Sequence, residues 1–251
     1  MIPRNSQLLL IVLVLTAFIQ VPSGIAAEQA DNPKPRVEKN FFNGKDLTGW
    51  KVENDVGVWS VKDGAIVGTA GDEDVPKYQF LWSNITVKNF HLSLLVKQTP
   101  FEANGGIQFR SARIQKGIPH GYQADLGKGY WGTLFHEHGR LILARNPDTD
   151  EKNINHEGWN RYEILAVGER VWMAVNGKIT VALRDSFGES EGLIAVQVHG
   201  GIPQMTAYKD FKLTHNPKVE LVGMDEVALN KLLVDAPEMG ASPNPNARKK
   251  K

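Results

Sequence analysis

Three short runs place hydrogen-bonding and ionisable side chains at alternate positions. They are Gln108 and Arg110 in GGIQFRS (105–111), Gln123 and Asp125 in GYQADLG (121–127), and Gln197 and His199 in GLIAVQVHG (192–200). Side chains two residues apart on a strand share a face. Each run therefore sets an amide and an ionisable group against an opposite face of Ile107 and Phe109, of Tyr122, Ala124 and Leu126, or of Ile194, Val196 and Val198. Arginine offers a rigid fork of donors, aspartate accepts, and histidine titrates near neutrality and ligates metals. Together such groups suit a neutral ligand rich in hydroxyls. Spacing alone leaves a second reading open, in which Arg110 pairs with Asp125 and His199 is a satisfied neighbour.

A further cluster follows a glycine-rich loop. YWGTLFHEHGRLIL (130–143) carries Tyr130, Trp131, His136, Glu137 and His138. Rings beside polar groups stack on the C–H faces of sugars, which makes Trp131, together with Tyr122, a candidate for substrate binding; Trp131 fits a core position equally well. His136 and His138 alternate with Glu137, and His-x-His alone is a weak metal signal. Asp125, Glu137 and His199, from three runs, have the ligand chemistry for a divalent metal (Mn, Ca or Zn), although nothing in the sequence brings them together. There is no Gly-x-Ser-x-Gly elbow, phosphate loop, dinucleotide fingerprint or His-Glu-x-x-His, so no nucleotide cofactor is expected. The chain has no cysteine, which excludes thiol chemistry and disulfides.

These runs belong to a longer β pattern. Short alternating segments from Phe41 to about Asn216 are separated by turn signals such as VKDG and VNGK, and Asn176-Gly177 predicts a tight hairpin. Strands are expected at 59–68, 90–98, 105–111, 121–127, 133–145, 160–168, 192–200 and 207–215. Without helical stretches between them, they predict an all-β fold, a jelly-roll sandwich of two antiparallel sheets over residues 41–216. Residues 1–27, with Arg4, an apolar run from Leu8 to Val21 and small residues near Ala27, read as a secretory signal. That predicts an exported, periplasmic or extracellular protein with no membrane span after cleavage. Residues 28–40 read as a linker. Residues 217–251 read as a C-terminal extension, with a short helix in GMDEVALNKLLVDA and a disordered basic tail. The 29 basic against 28 acidic residues give a formal charge of +1, no basis for nucleic-acid binding.

FFNGKDLTGW, WSVKDGAIVG, GGIQFRS, GYQADLG, EGWNRYEILAVGERVWMAVNGK and GLIAVQVHGG, in this order across residues 38–215, resemble the motif series of the 3-keto-disaccharide hydrolase family, domain of unknown function 1080. GYQADLG and YWGTLF resemble its planctomycete-type branch. The resemblance implies a concanavalin-like sandwich with the site on one sheet, and cleavage of 3-keto-glycosides by C2 proton abstraction, β-elimination and hydration. It implies His199 as base or metal ligand, and Asp125 and Glu137 as acid/base partners or ligands. Arg110, Gln108, Gln123 and Gln197 would orient substrate hydroxyls. FHEHGRLIL departs from the acidic, arginine-rich run usual in that branch. A noncatalytic, lectin-like glycan-binding module on the same fold is the alternative.

Overall fold

A strand that is apolar on one side must bury that side, and two such sheets bury each other. The computed structural model describes residues 33–52, 58–71, 78–148 and 151–242. The signal segment at 1–27, the start of the 28–40 linker and the basic terminal run lie outside the described residues. The strands, in chain order, are β1 (Arg36–Glu38), β2 (Trp50–Val52), β3 (Trp59–Lys62), β4 (Ala65–Ala70), β5 (Tyr78–Val87), β6 (Phe90–Thr99), β7 (Asn104–Arg113) and β8 (Pro119–Gly127). There follow β9 (Leu134–Glu137), β10 (Leu141–Ala144), β11 (Asn160–Val167), β12 (Arg170–Val175), β13 (Lys178–Arg184), β14 (Gly192–His199), β15 (Gln204–His215) and β16 (Val234–Asp235), with helix α1 (Glu226–Asn230) before the last.

They form two sheets. One runs β16-β13-β12-β11-β6-β15-β4-β3, with β1 paired to β15; the other runs β10-β9-β8-β7-β14-β5-β2. All pairings are antiparallel except β13 with β16. The inner face of the second sheet (Ile107, Phe109, Ala124, Leu126, Val196, Val198) shares one core with Phe90, Leu92, Leu94, Val96 and Ile164 of the first. The hairpin at Asn176-Gly177 has φ values of 48° and 77°, the left-handed pair that a two-residue turn requires.

The linker reading gives way at Arg36–Glu38, which extends the first sheet as β1 beside β15. The 59–68 run is a hairpin broken at Asp63-Gly64, and 133–145 is likewise two strands. β5 falls outside the expected strands: Phe80, Leu81 and Trp82 are apolar in succession, so its run QFLWSNITV favours a strand by residue type without a clean alternation.

The extension folds onto the sandwich. Val219, Leu221 and Leu229 cover Leu165, Trp172 and Ala174 on the outer side of the first sheet. The Trp172 indole N–H donates to the Leu229 carbonyl at 3.1 Å. The chain then passes β13 and reaches the other sheet, where Ala241 bridges Ile142 of β10. A chain ending at Asn216 is expected to lose about 3 to 6 kcal/mol through exposure of Trp172 and Leu165. Chemical denaturation of the truncated protein checks this.

Candidate functional site

The strand order β9-β8-β7-β14-β5 and its registers set out the outward face of the second sheet row by row. One row is Phe135, Gln123, Gln108, Ala195 and Trp82; the next is Asp125, Gly106, Gln197 and Phe80. Glu137 extends the face beside Gly121, and His199 extends it past Gln197 at the other end. Gln108, Gln123, Asp125, Gln197 and His199 thus share one face, as the period-two pattern requires.

These groups are hydrogen-bonded in series. The Ser111 hydroxyl donates to Gln108 Oε1 at 2.9 Å, Gln108 Nε2 to Gln123 Oε1 at 2.5 Å, and Gln123 Nε2 to Asp125 Oδ1 at 2.5 Å. Gln123 lies flat because its neighbour is Gly106, where a Cβ would fall 2.5 Å from the Gln123 amide carbon. The face is dry: Gln108 is 0% exposed, Gln197 1% and Asp125 6%. Gln197 Oε1 is buried without a hydrogen-bond partner, an acceptor waiting for a donor.

The dryness governs the carboxyls. Burial pushes Asp125 well above the usual carboxylate range; the Gln123 hydrogen bond opposes this and the nearby Glu137 charge adds to it. Burial raises Glu137 to about 7, against the pull of His136. Burial thus favours the protonated form of Asp125, and Glu137, at about 7, is poised to gain or lose a proton near neutrality. His199 Nδ1 stands 2.5 Å from the Gly200 carbonyl, which can only accept, so Nδ1 carries a proton.

Three expected site residues lie elsewhere. Arg110 is 1% exposed and points into the sandwich, where Nε donates to the Lys88 carbonyl at 2.8 Å and Nη1 to the Gly168 carbonyl at 2.8 Å. It pairs with nothing on the polar face, Asp125 included. The cause is a bulge: against both neighbours β7 carries an extra residue here, and Arg110 has φ 46°. Gly121 and Gly192 flank it, where a Cβ would meet the Arg110–Ser111 backbone at 2.8 and 2.5 Å. Past the bulge Ser111, not Arg110, continues the outward face. Tyr122 faces inward, its hydroxyl donating to Asp185 Oδ2 at 2.6 Å and its ring stacked on Phe109. Trp131 is core, 1% exposed and parallel to Phe101.

The aromatic rings of the face are others: Phe80 and Trp82 pack with Ala195 outside the main core. The Trp82 indole donates to the Gly117 carbonyl at 3.1 Å, so the β7–β8 connection crosses the sheet over this ring. Phe80 and Trp82 alternate with Leu81 in the sequence, the signal by which they are recognisable.

The implied metal set does not assemble. Glu137 and His199 are separated by three strand spacings and several residue rises, roughly 20 Å. Among the described residues one His/carboxylate group has ligand atoms within 4.8 Å of each other: His120, His136 and Glu189. His136 Nε2 lies 2.9 Å from Glu189, but its Nδ1 accepts the Arg140 N–H at 3.3 Å. That acceptor role puts the proton on Nε2, where a metal would need the lone pair. The group is a hydrogen-bonded end cap, continued by Arg140 paired to Asp185.

Two antiparallel sheets, one with a dry outward face of amides and carboxyls, define a concanavalin-like sandwich. The chain belongs to the 3-keto-α-glucoside-1,2-lyase-like family, whose model matches residues 38–214. Its fold is similar to that of a putative glycosyl hydrolase from Parabacteroides distasonis (21% identity over 69% of this chain and 91% of that one, TM-score 0.53). It is also similar to a carbohydrate-binding module from Bacillus subtilis (15% identity, 66% and 96% covered, TM-score 0.51). No curated protein matches the sequence.

Proposed function

We propose that the protein is an exported enzyme that cleaves 3-keto-glycosides, and that Asp125 and Glu137 perform the proton chemistry. The observation that carries this reading is the pair of carboxyls with raised pKa values on one dry face of a chain belonging to this family. A ketone at C3 acidifies the C2 proton, because the resulting carbanion is an enolate. Glu137, ionising at about 7, is matched to removing that proton near neutrality. Asp125, kept neutral, donates a hydrogen bond to the developing enolate oxygen, the role for which a protonated buried carboxyl is suited. The electron pair then expels the aglycone oxygen from C1, which takes up a proton, and water adds across the double bond to give the free 3-keto sugar. Gln197 Oε1, unpartnered and buried, is placed to accept from a sugar hydroxyl, with His199 beyond it at the far end of the substrate. Since His199 stands three strands away from Glu137, the implied ligand set does not meet and no step is assigned to a metal. Export rests on the signal-like N-terminus.

The noncatalytic alternative, a lectin-like platform of Trp131 and the polar face, loses Trp131 to the interior and would rest on the polar face with Phe80 and Trp82. The purified protein is expected to release a chromogenic aglycone from a 3-keto-glucoside and not from the parent glucoside, and C2 deuteration is expected to slow release. Equal release from both substrates, or saturable glycan binding without any product, overturns the proposal.

A further inference from the structure

The outward face of the other sheet carries a groove that the proposed chemistry does not use. Its floor is small and apolar: Ala65 and Val67 of β4 beside Ala207 of β15, all buried against the partly buried Met205 and Trp159. Register places Val67, Ala207 and Lys97 side by side on this face, with Lys62 beside Ala65. Trp159, from the segment before β11, forms the wall, and the Lys209 ammonium lies 4.3 Å from its ring centroid. The groove has a volume of about 320 Å³, within the range of small-ligand clefts.

Its charge is one-sided. Lys62, Lys97 and Lys209 line it against a single carboxylate, Asp63, and neither Lys62 nor Lys97 has a carboxylate partner among the described residues. A solvated lysine rim needs no apolar floor, and a structural cation–π pair needs only Lys209 and Trp159. The combination left over is a flat apolar strip, an aromatic edge and two free ammonium groups. That matches a pyranose ring whose C–H face lies on the strip and whose acidic substituent meets the lysines. We propose that this groove binds an acidic sugar unit, carrying a carboxylate or a sulfate, of a polysaccharide. The site would hold the protein on an anionic glycan while the opposite face works on its substrate.

Affinity electrophoresis of the purified protein tests this, with polygalacturonate, dextran sulfate or neutral dextran in the gel. Retardation by polygalacturonate or dextran sulfate but not by dextran is expected, and whichever of the two retards identifies the acid. Lys62→Glu/Lys97→Glu is expected to weaken it at least tenfold, whereas Lys45→Glu/Lys231→Glu, exposed and outside the groove, leaves it unchanged. Trp159→Phe, which keeps a ring, is expected to weaken it a few-fold, and added salt to weaken it further. The proposal is overturned by equal retardation in neutral dextran, by equal loss in the two double variants, by the absence of retardation in either acidic polymer, or by binding to phosphatidylglycerol vesicles alone. None of these readouts depends on turnover at Asp125 and Glu137.

Discussion

Glu137→Gln is expected to lower kcat/KM on a 3-keto-glycoside by about 10²–10⁴, the usual worth of a positioned general base, with the fold intact. The pH profile separates this from a structural effect. In the parent protein the rate should rise as Glu137 loses its proton around pH 7. In Glu137→Gln the acid limb should vanish. Stability must move the other way. The folded-state pKa of Glu137 is raised above its ordinary 4.5, so its contribution to stability is fully present below about pH 4.5 and is lost as pH rises through about 7. At pH 8 the glutamine variant should therefore be more stable, by about 3 kcal/mol at most, since each pKa unit corresponds to about 1.4 kcal/mol. A variant that keeps its turnover removes Glu137 from the mechanism. Asp125→Asn should fail differently: it keeps a hydrogen-bond donor for the enolate, so it should retain more activity than Asp125→Ala.

Much of this face is legible in the sequence because a strand's periodicity is a local property. Gln108, Gln123, Asp125, Gln197 and His199 each stand two residues from a like-facing neighbour or beside one across a register. Which strands adjoin is a different matter. The order β9-β8-β7-β14-β5 brings together residues from 78 to 199, and no local pattern encodes that order. The same limit explains the metal set, whose members lie on one face but in distant rows. Aromatic residues mislead for another reason. A large ring serves equally well on a ligand-facing surface or in a core, so Trp131 fits either by type, while Phe80 and Trp82 are found only once residues 78–87 are read as a strand. The extension past Asn216 has a weak amphipathic signal because it is not an independent element: it covers a sheet face already built.

Arg110→Met is expected to destabilise the fold by about 3 to 5 kcal/mol and to leave kcat/KM of the folded fraction within a few-fold of the parent. The guanidinium is buried, which pushes its pKa down, yet it is held by donating to the Lys88 carbonyl and, from Nη1, to the Gly168 carbonyl. Lys88 lies in the β5–β6 connection, which crosses from the second sheet to the first, and Gly168 in the turn of the β11–β12 hairpin, so one side chain rooted in the second sheet ties down a crossover and a hairpin turn. Methionine fills part of the space but strands both carbonyls, each at about 1 to 3 kcal/mol. Lysine keeps the charge but cannot span two acceptors with a planar fork, so Arg110→Lys should fall between the two. Thermal unfolding, read beside activity per folded molecule, separates this role from a catalytic one. Lost turnover at an unchanged melting temperature would place Arg110 at the substrate after all. Strict alternation puts it there, since Gln108 and Arg110 are two apart. One inserted residue, accommodated between Gly121 and Gly192, reverses the side chain and converts a binding group into the pin between the sheets.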